Sequence, residues 1–326
     1  MKIFEDICKM TQPEVKEYMH SYLTSKGYAP INEDGFLYAK GTEPVHLVAH
    51  MDTVHDNQCE TIVNINGRLS SPQGIGGDDR CGIFIIMNLV KELHCSVLLC
   101  EDEERGIIGA NKFAKTKYVE NLDVNYMIEF DRKGSNDAVF YSCDNYDFID
   151  FVTDATSFKF ACGSCSDISV LMPASKLCAV NLSSGYYNPH TTNEYVVYDE
   201  MMDTVEAAKV LIKEKCDEPF KYVTKSYSFT PKYSSYSFAN YKRSFGGYEY
   251  HENFLDTPPA HLYEDKGLAD IARKDKELEL EVTIYGESYS EEVIRAIGET
   301  KAECWMNLFL DNPNLCFNDI VDYTWG

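Results

Sequence analysis

Five short stretches of this sequence hold the carboxylates, imidazoles and glycines that metal-assisted hydrolysis requires. The first is His50-Met51-Asp52. Residues two apart on extended chain project to the same side, so one can bind a metal while the other holds its ring. Alone, the pair reads equally well as two polar residues at a strand end. The second is Gly74-Ile75-Gly76-Gly77-Asp78-Asp79-Arg80-Cys81-Gly82, three glycines and two aspartates in a loop where backbone conformation outweighs side-chain bulk. By itself it suits a turn with solvated acids. The third, Glu101-Asp102-Glu103-Glu104-Arg105-Gly106, has the look of a solvated charge run, but it follows an apolar stretch. Asp131 follows Tyr126-Met127-Ile128-Glu129-Phe130, and His190 sits in Asn188-Pro189-His190-Thr191-Thr192-Asn193-Glu194. Hard carboxylates combined with neutral imidazoles suit zinc, manganese or cobalt at a dinuclear site.

The elements that must position these residues alternate between strand and helix over residues 1–216, the pattern of a layered α/β domain. Thr11-Gln12-Pro13-Glu14 is a capping box with an early proline, opening a helix through about Ser25. Val45–His50 is a short apolar run suited to a buried strand. A helix is expected over Ile83–Val90, a strand over Ser96–Cys100, a helix over Ile107–Lys115 and a strand over Val124–Phe130. A strand over Lys176–Leu182 and a helix over Glu200–Lys215, with Asp199 as N-cap, complete a mixed β-sheet with helices on both faces. Each cluster lies at the end of an expected strand or in the loop after one, where open α/β sheets place their sites.

Taken in order, the clusters resemble the zinc-dependent exopeptidase superfamily that includes peptidase T, carboxypeptidase G and the di-zinc aminopeptidases. The local matches are HLVAHMDTV, GGDDRCG and EDEERGIIGA. The resemblance covers residues 1–216 and implies five metal ligands: His50, Asp78, Glu104, Asp131 and His190. It makes Asp78 the bridge between two divalent ions, with His50 and Asp131 on one and Glu104 and His190 on the other. Glu103 matches the general base and Asp52 the carboxylate supporting His50. A cis peptide between Asp78 and Asp79 is implied as well. The interval from Asp131 to His190 is too short for the inserted lid or dimerisation domain of many of these enzymes, so a lid-free form is expected. The implied activity is cleavage of amide bonds in short peptides by an aminopeptidase. An N-acyl-amino-acid amidase or deacetylase using the same centre is the alternative, as is a non-catalytic metal-binding protein. A homo-oligomer is compatible with any of these.

Composition narrows the partners. The chain has 326 residues with 53 acidic against 30 basic side chains, a formal charge of −23 that repels phosphate backbones. No apolar run approaches the roughly 18 residues of a membrane span. The amino-terminal MKIFEDICKM carries Glu5 and Asp6 and lacks the apolar core of a signal peptide. Twelve cysteines without an export signal suit free thiols in a reducing, cytoplasmic setting. Cys162-Gly163-Ser164-Cys165 has redox or zinc-pair spacing, but no second pair completes a four-thiolate site. The resemblance makes it a glycine-rich loop bordering the pocket instead.

Past Pro219 the composition changes. Residues 217–260 are rich in Tyr, Ser and Phe and suit a linker or hairpin; aromatics among basic residues can also stack on nucleic-acid bases, a reading the overall charge opposes. Residues 261–326 are acidic again and suit a small accessory α+β region. In it Leu278–Tyr285 alternates like a strand, and Ser290 is placed to cap a helix carrying Val293, Ile294, Ile297, Trp305, Leu308 and Phe309.

Overall fold

The computed structural model describes residues 1–55, 58–214, 216–224, 278–285, 291–298, 301, 304–305, 307–308 and 320–325. Its main sheet has eight strands in the spatial order Ile31–Glu33, Phe36–Ala39, Cys95–Cys100, Glu43–His50, Tyr126–Arg132, Ala179–Ser183, Asp137–Val139, Lys159–Ala161. The middle four, from Cys95–Cys100 to Ala179–Ser183, run parallel, and both neighbours that flank them are antiparallel. This is the mixed α/β sheet that the sequence predicts. Parallel strands are covered on both faces, so they read as continuous apolar runs. Val45–His50 is accordingly buried at every position, as is Cys95–Cys100.

Two sets of helices cover the sheet. Lys2–Cys8, Gly77–Leu89, Tyr146–Thr156 and Tyr198–Lys213 pack among themselves in one set, and Ile108–Phe113, Lys117–Glu120 and Asp167–Ser175 in another. The capping box at Thr11 forms as expected, with Glu14 accepting from the Thr11 backbone and hydroxyl at 2.8 and 2.7 Å, and its helix runs Gln12–Ser25. The helix expected over Glu200–Lys215 runs Tyr198–Lys213, with Val197 rather than Asp199 as its N-cap. The chain between Asp131 and His190 forms strands and helices of the two sheets and their covering layers with short loops between them, so no lid domain is inserted. A second sheet, Tyr186–Tyr187, Tyr195–Val197, Arg68–Ser70 and Val63–Ile65, is antiparallel throughout and flanks the loop that carries His190.

The segment after the helix Tyr198–Lys213 stays attached. The Phe220 N–H donates to the Asn125 carbonyl at 2.9 Å and its ring packs on Phe148 and Phe151 at 5.1 and 5.0 Å. The aromatic-rich stretch from 225 to 260, and Ser290 and Phe309 further on, lie outside the described residues. In the carboxyl-terminal region, Leu278–Tyr285 is a strand as expected and is the centre of a three-stranded antiparallel sheet. The helix expected after Ser290 is corrected over Glu291–Gly298, which is the second strand of that sheet, in register from Leu278↔Gly298 to Tyr285↔Glu291. Val293, Ile294 and Ile297 fit either period. Ile294 and Ala296 alternate with the exposed Val293, Arg295 and Ile297, the period of a strand, and pairing with Leu278–Tyr285 decides the matter. Helix begins only later, at positions including Trp305 and Leu308, both buried.

One ion pair ties this fold to the acidic loop. Glu101 accepts from Lys16 Nζ and from the Gly35 N–H, each at 2.8 Å, and Lys16 also reaches the Glu33 carbonyl at 2.7 Å. Removing one partner of a buried pair strands the other charge, at a cost of about 3–5 kcal/mol. Lys16 and Glu101 keep some solvent contact (side chains 11% and 16% exposed), so Lys16→Met should cost about 2–3 kcal/mol. A urea melt with an unchanged slope and a lower midpoint is the expected result.

Candidate metal centre

The parallel strands deliver the candidate residues to one edge. His50 is the last residue of Glu43–His50, Glu103 and Glu104 follow Cys95–Cys100, Asp131 lies near the end of Tyr126–Arg132, and His190 follows Ala179–Ser183. These four strands are sheet neighbours, so their carboxyl ends converge. Asp78 arrives from the first turn of Gly77–Leu89, whose N-cap Gly76 has φ 66, a conformation that favours glycine. The Asp78–Asp79 peptide is cis, as the resemblance implies. His190 itself has φ 64, rarely adopted by a non-glycine residue, and this turn sets its ring against Asp78.

The geometry centres on Asp78. Its Oδ1 lies 3.1 Å from His50 Nε2, which is also 3.6 Å from Asp131 Oδ1. Its Oδ2 lies 3.3 Å from His190 Nε2, which is 3.0 Å from Glu104 Oε1. One carboxylate thus stands between two imidazole–carboxylate pairs. Donor atoms of Asp78, Glu104 and His190 all fall within 4.8 Å of one another, as do those of His50, Glu103 and Glu104. All seven residues singled out in the sequence therefore meet in one place.

Asp52 is the brace of this arrangement. Its Oδ1 lies 3.2 Å from His50 Nδ1, and its two oxygens accept the backbone N–H groups of Glu103 and Glu104 at 2.9 and 3.1 Å. One carboxylate therefore fixes both the first imidazole and the loop carrying two glutamates.

Several supporting residues gave no usable sequence signal. Glu194, fully buried, accepts the N–H groups of Gly76 and Asp78 at 2.9 and 2.8 Å and lies 2.9 Å from His55 Nε2, so it shapes the loop beneath Asp78. Ser166 Oγ and Tyr186 Oη donate to the two oxygens of Asp131, at 3.0 and 3.2 Å. Asp79 also has a donor atom within 4.8 Å of those of His50 and Asp131. Its oxygens, however, accept the N–H groups of His50 and Gly82, at 3.2 and 2.9 Å, which makes it a backbone brace. A Cβ on Gly82 would come within 2.5 Å of that carboxylate, which explains a glycine inside a helix.

The donor set fits divalent cations. Burial disfavours charge on His50, yet Asp131, Asp52 and Asp78 outweigh it and push the imidazole well up. Hydrogen bonds to Asp78 and Glu104 push His190 up to about 10. Burial, reinforced by Asp131 and other carboxylates, pushes Glu103 up to about 8. Carboxylates crowded this closely draw positive charge onto any group that can carry it, a demand that bound divalent ions meet while leaving the imidazoles neutral to ligate. The centre opens onto a cavity of about 760 Å³ whose wall includes Tyr141, Cys162, Gly163 and Cys165.

No family model matches this chain, and no curated protein does either. Among solved structures it is similar to aminopeptidase PepT from Bacillus cereus, at TM-score 0.54 and 15% identity, covering 65% of this chain and 96% of that one. It is also similar to an aminopeptidase from the archaeon Desulfurococcus kamchatkensis, at TM-score 0.51 and 12% identity, covering 66% and 94%. About a third of this chain has no counterpart in either. At such identity the likeness speaks for the fold alone, the layered α/β fold that this chain shares with those two aminopeptidases.

Proposed function

We propose that the protein is a two-metal hydrolase of amide bonds in short peptides, acting as an aminopeptidase. The observation that carries this reading is the two-sided setting of Asp78, with His50 on one oxygen and His190 on the other. His50 and Asp131 would hold one ion, Glu104 and His190 the other, and Asp78 would serve both. Zinc suits the mixed nitrogen and oxygen donors, and manganese or cobalt would serve. Such ions supply Lewis acidity, lowering the pKa of a water and polarising the scissile carbonyl.

The chain's own residues do the rest. Glu103 faces the same cavity as Asp78 and Asp131 and is assigned no metal. It takes the proton from the attacking water and delivers it to the leaving amine, a role needing a carboxylate within hydrogen-bond reach of both. Asp52 keeps the Nδ1 proton of His50 engaged, so that Nε2 presents its lone pair to the centre. The division of the chain is proposed along with this: residues 1–216 as the catalytic domain, 217–260 as a linker or hairpin and 261–326 as an accessory region.

Treating the protein with a chelator such as dipicolinate, then restoring zinc, manganese or cobalt, should abolish and return hydrolysis of unblocked di- and tripeptides. A panel of aminoacyl, peptidyl and N-acyl substrates separates the alternatives. Cleavage confined to N-acyl amino acids would make the protein an amidase. Tight metal binding with no turnover of any of them would make it a binding protein.

A further inference from the structure

Apart from the residues of the metal centre, the charged side chains lining the 760 Å³ cavity are Arg132 and Lys133. Their sign opposes that of the chain as a whole, −23. Arg132 is engaged locally, its Nε and Nη2 lying 3.2 and 3.0 Å from Asp137 Oδ2. Lys133 is exposed and has no carboxylate partner among the described residues. Its backbone is nevertheless pinned. Ser183 Oγ donates to its carbonyl at 2.9 Å, and the N–H of the next residue, Gly134, donates to the Tyr186 carbonyl at 2.8 Å. A fixed base thus places an ammonium, unpaired among the described residues, at the wall of the cavity.

Nearness to Asp131 in the chain says what that ammonium can reach. Lys133 is the first residue beyond the strand Tyr126–Arg132 and two residues from Asp131, so the chain sets the two at most about 7 Å apart. An extended peptide advances about 3.3–3.6 Å per residue. A peptide whose scissile carbonyl lies at the metal centre therefore carries its terminal carboxylate, one or two residues further on, into the range of a flexible lysine. Among the described residues Lys133 is a cation of the cavity wall without a carboxylate partner, and an anionic group is what it suits.

We propose that Lys133 is the recognition group for a substrate carboxylate beyond the scissile bond, so that the preferred substrates are di- and tripeptides with a free carboxyl terminus or peptides with an acidic side chain at that position. The proposal rests on the hydrolase reading above and names the substrate class for it.

The test compares Lys133→Met and Lys133→Arg with the unaltered full chain, loaded with zinc, on Ala-Ala-Ala, its carboxyl-terminal amide, and Ala-Glu amide. A charge-assisted hydrogen bond lost to Met should lower the ratio of kcat/KM for the acid over the amide about ten- to hundredfold, through KM. Lys133→Arg should keep most of that ratio. Loss confined to Ala-Glu amide would identify a side chain as the source of the carboxylate. A merely structural role would depress all three substrates alike, and that result, or no change in any, overturns the proposal. Should the unaltered protein cleave none of them, the aminopeptidase reading fails, and calorimetric binding of Ala-Ala-Ala against its amide decides the lysine separately. A preference for the acid that Lys133→Met removes upholds its role; equal or no binding of the two overturns it.

Discussion

Glu103→Gln should lose about 10²–10⁴-fold in kcat while keeping two metal ions per chain, because it removes a proton carrier and leaves the assigned ligands in place. Gln is close to Glu in shape, and the Glu103 backbone contact to Asp52 does not depend on the side chain. His190→Ala should behave differently. It deletes a ligand that the reading above assigns, so metal content and activity should fall together. Elemental analysis of gel-filtered protein, read beside steady-state kinetics, separates the two variants. Near-normal turnover by Glu103→Gln with both ions bound would remove Glu103 from the mechanism.

Asp78→Ala should have the largest effect on metal. In the proposed arrangement this residue serves both ions, so its loss should leave at most one bound per chain, whereas His50→Ala or His190→Ala each withdraw a ligand from one. Stability gives a readout independent of turnover. A ligand binding only the folded state raises stability by RT ln(1 + [L]/Kd), about 2.7 kcal/mol when free metal is a hundredfold above Kd. Added zinc should therefore raise the melting temperature of the metal-stripped protein by several degrees and do so little or not at all for Asp78→Ala. A full zinc-dependent shift in Asp78→Ala would show that the ions are held elsewhere.

The interpretable part of the sequence was the part governed by local rules. Val45–His50 reads as a buried strand because parallel strands need apolar residues on both faces, and it is buried throughout. Where both periods fit, local rules fail: Glu291–Gly298 has apolar spacing for a helix, and pairing with Leu278–Tyr285, the strand just before it in sequence, makes it extended. His46 shows another limit. Within an apolar run it passes as a strand residue, yet it lies fully buried against Tyr38 and Phe113 with neither ring nitrogen hydrogen-bonded, and burial pushes it down to about 3.

The site divides along the same line. Residue types and their order after expected strands are enough to single out His50, Asp52, Asp78, Glu103, Glu104, Asp131 and His190, because metal chemistry restricts which side chains can serve and sheet topology restricts where they sit. Only the tertiary structure decides which atoms meet: that Asp78 stands between His50 and His190, that Asp52 braces both the imidazole and the glutamate loop, and that Glu194, Ser166 and Tyr186 converge from later in the chain. Such contacts are set by how strands far apart in sequence lie side by side, and a buried carboxylate whose partners are backbone N–H groups from another loop leaves no spacing by which to find it. Local patterning carries the layered fold and the candidate ligand types; the packing of the sheet decides which carboxylates face the cavity and which hold its walls.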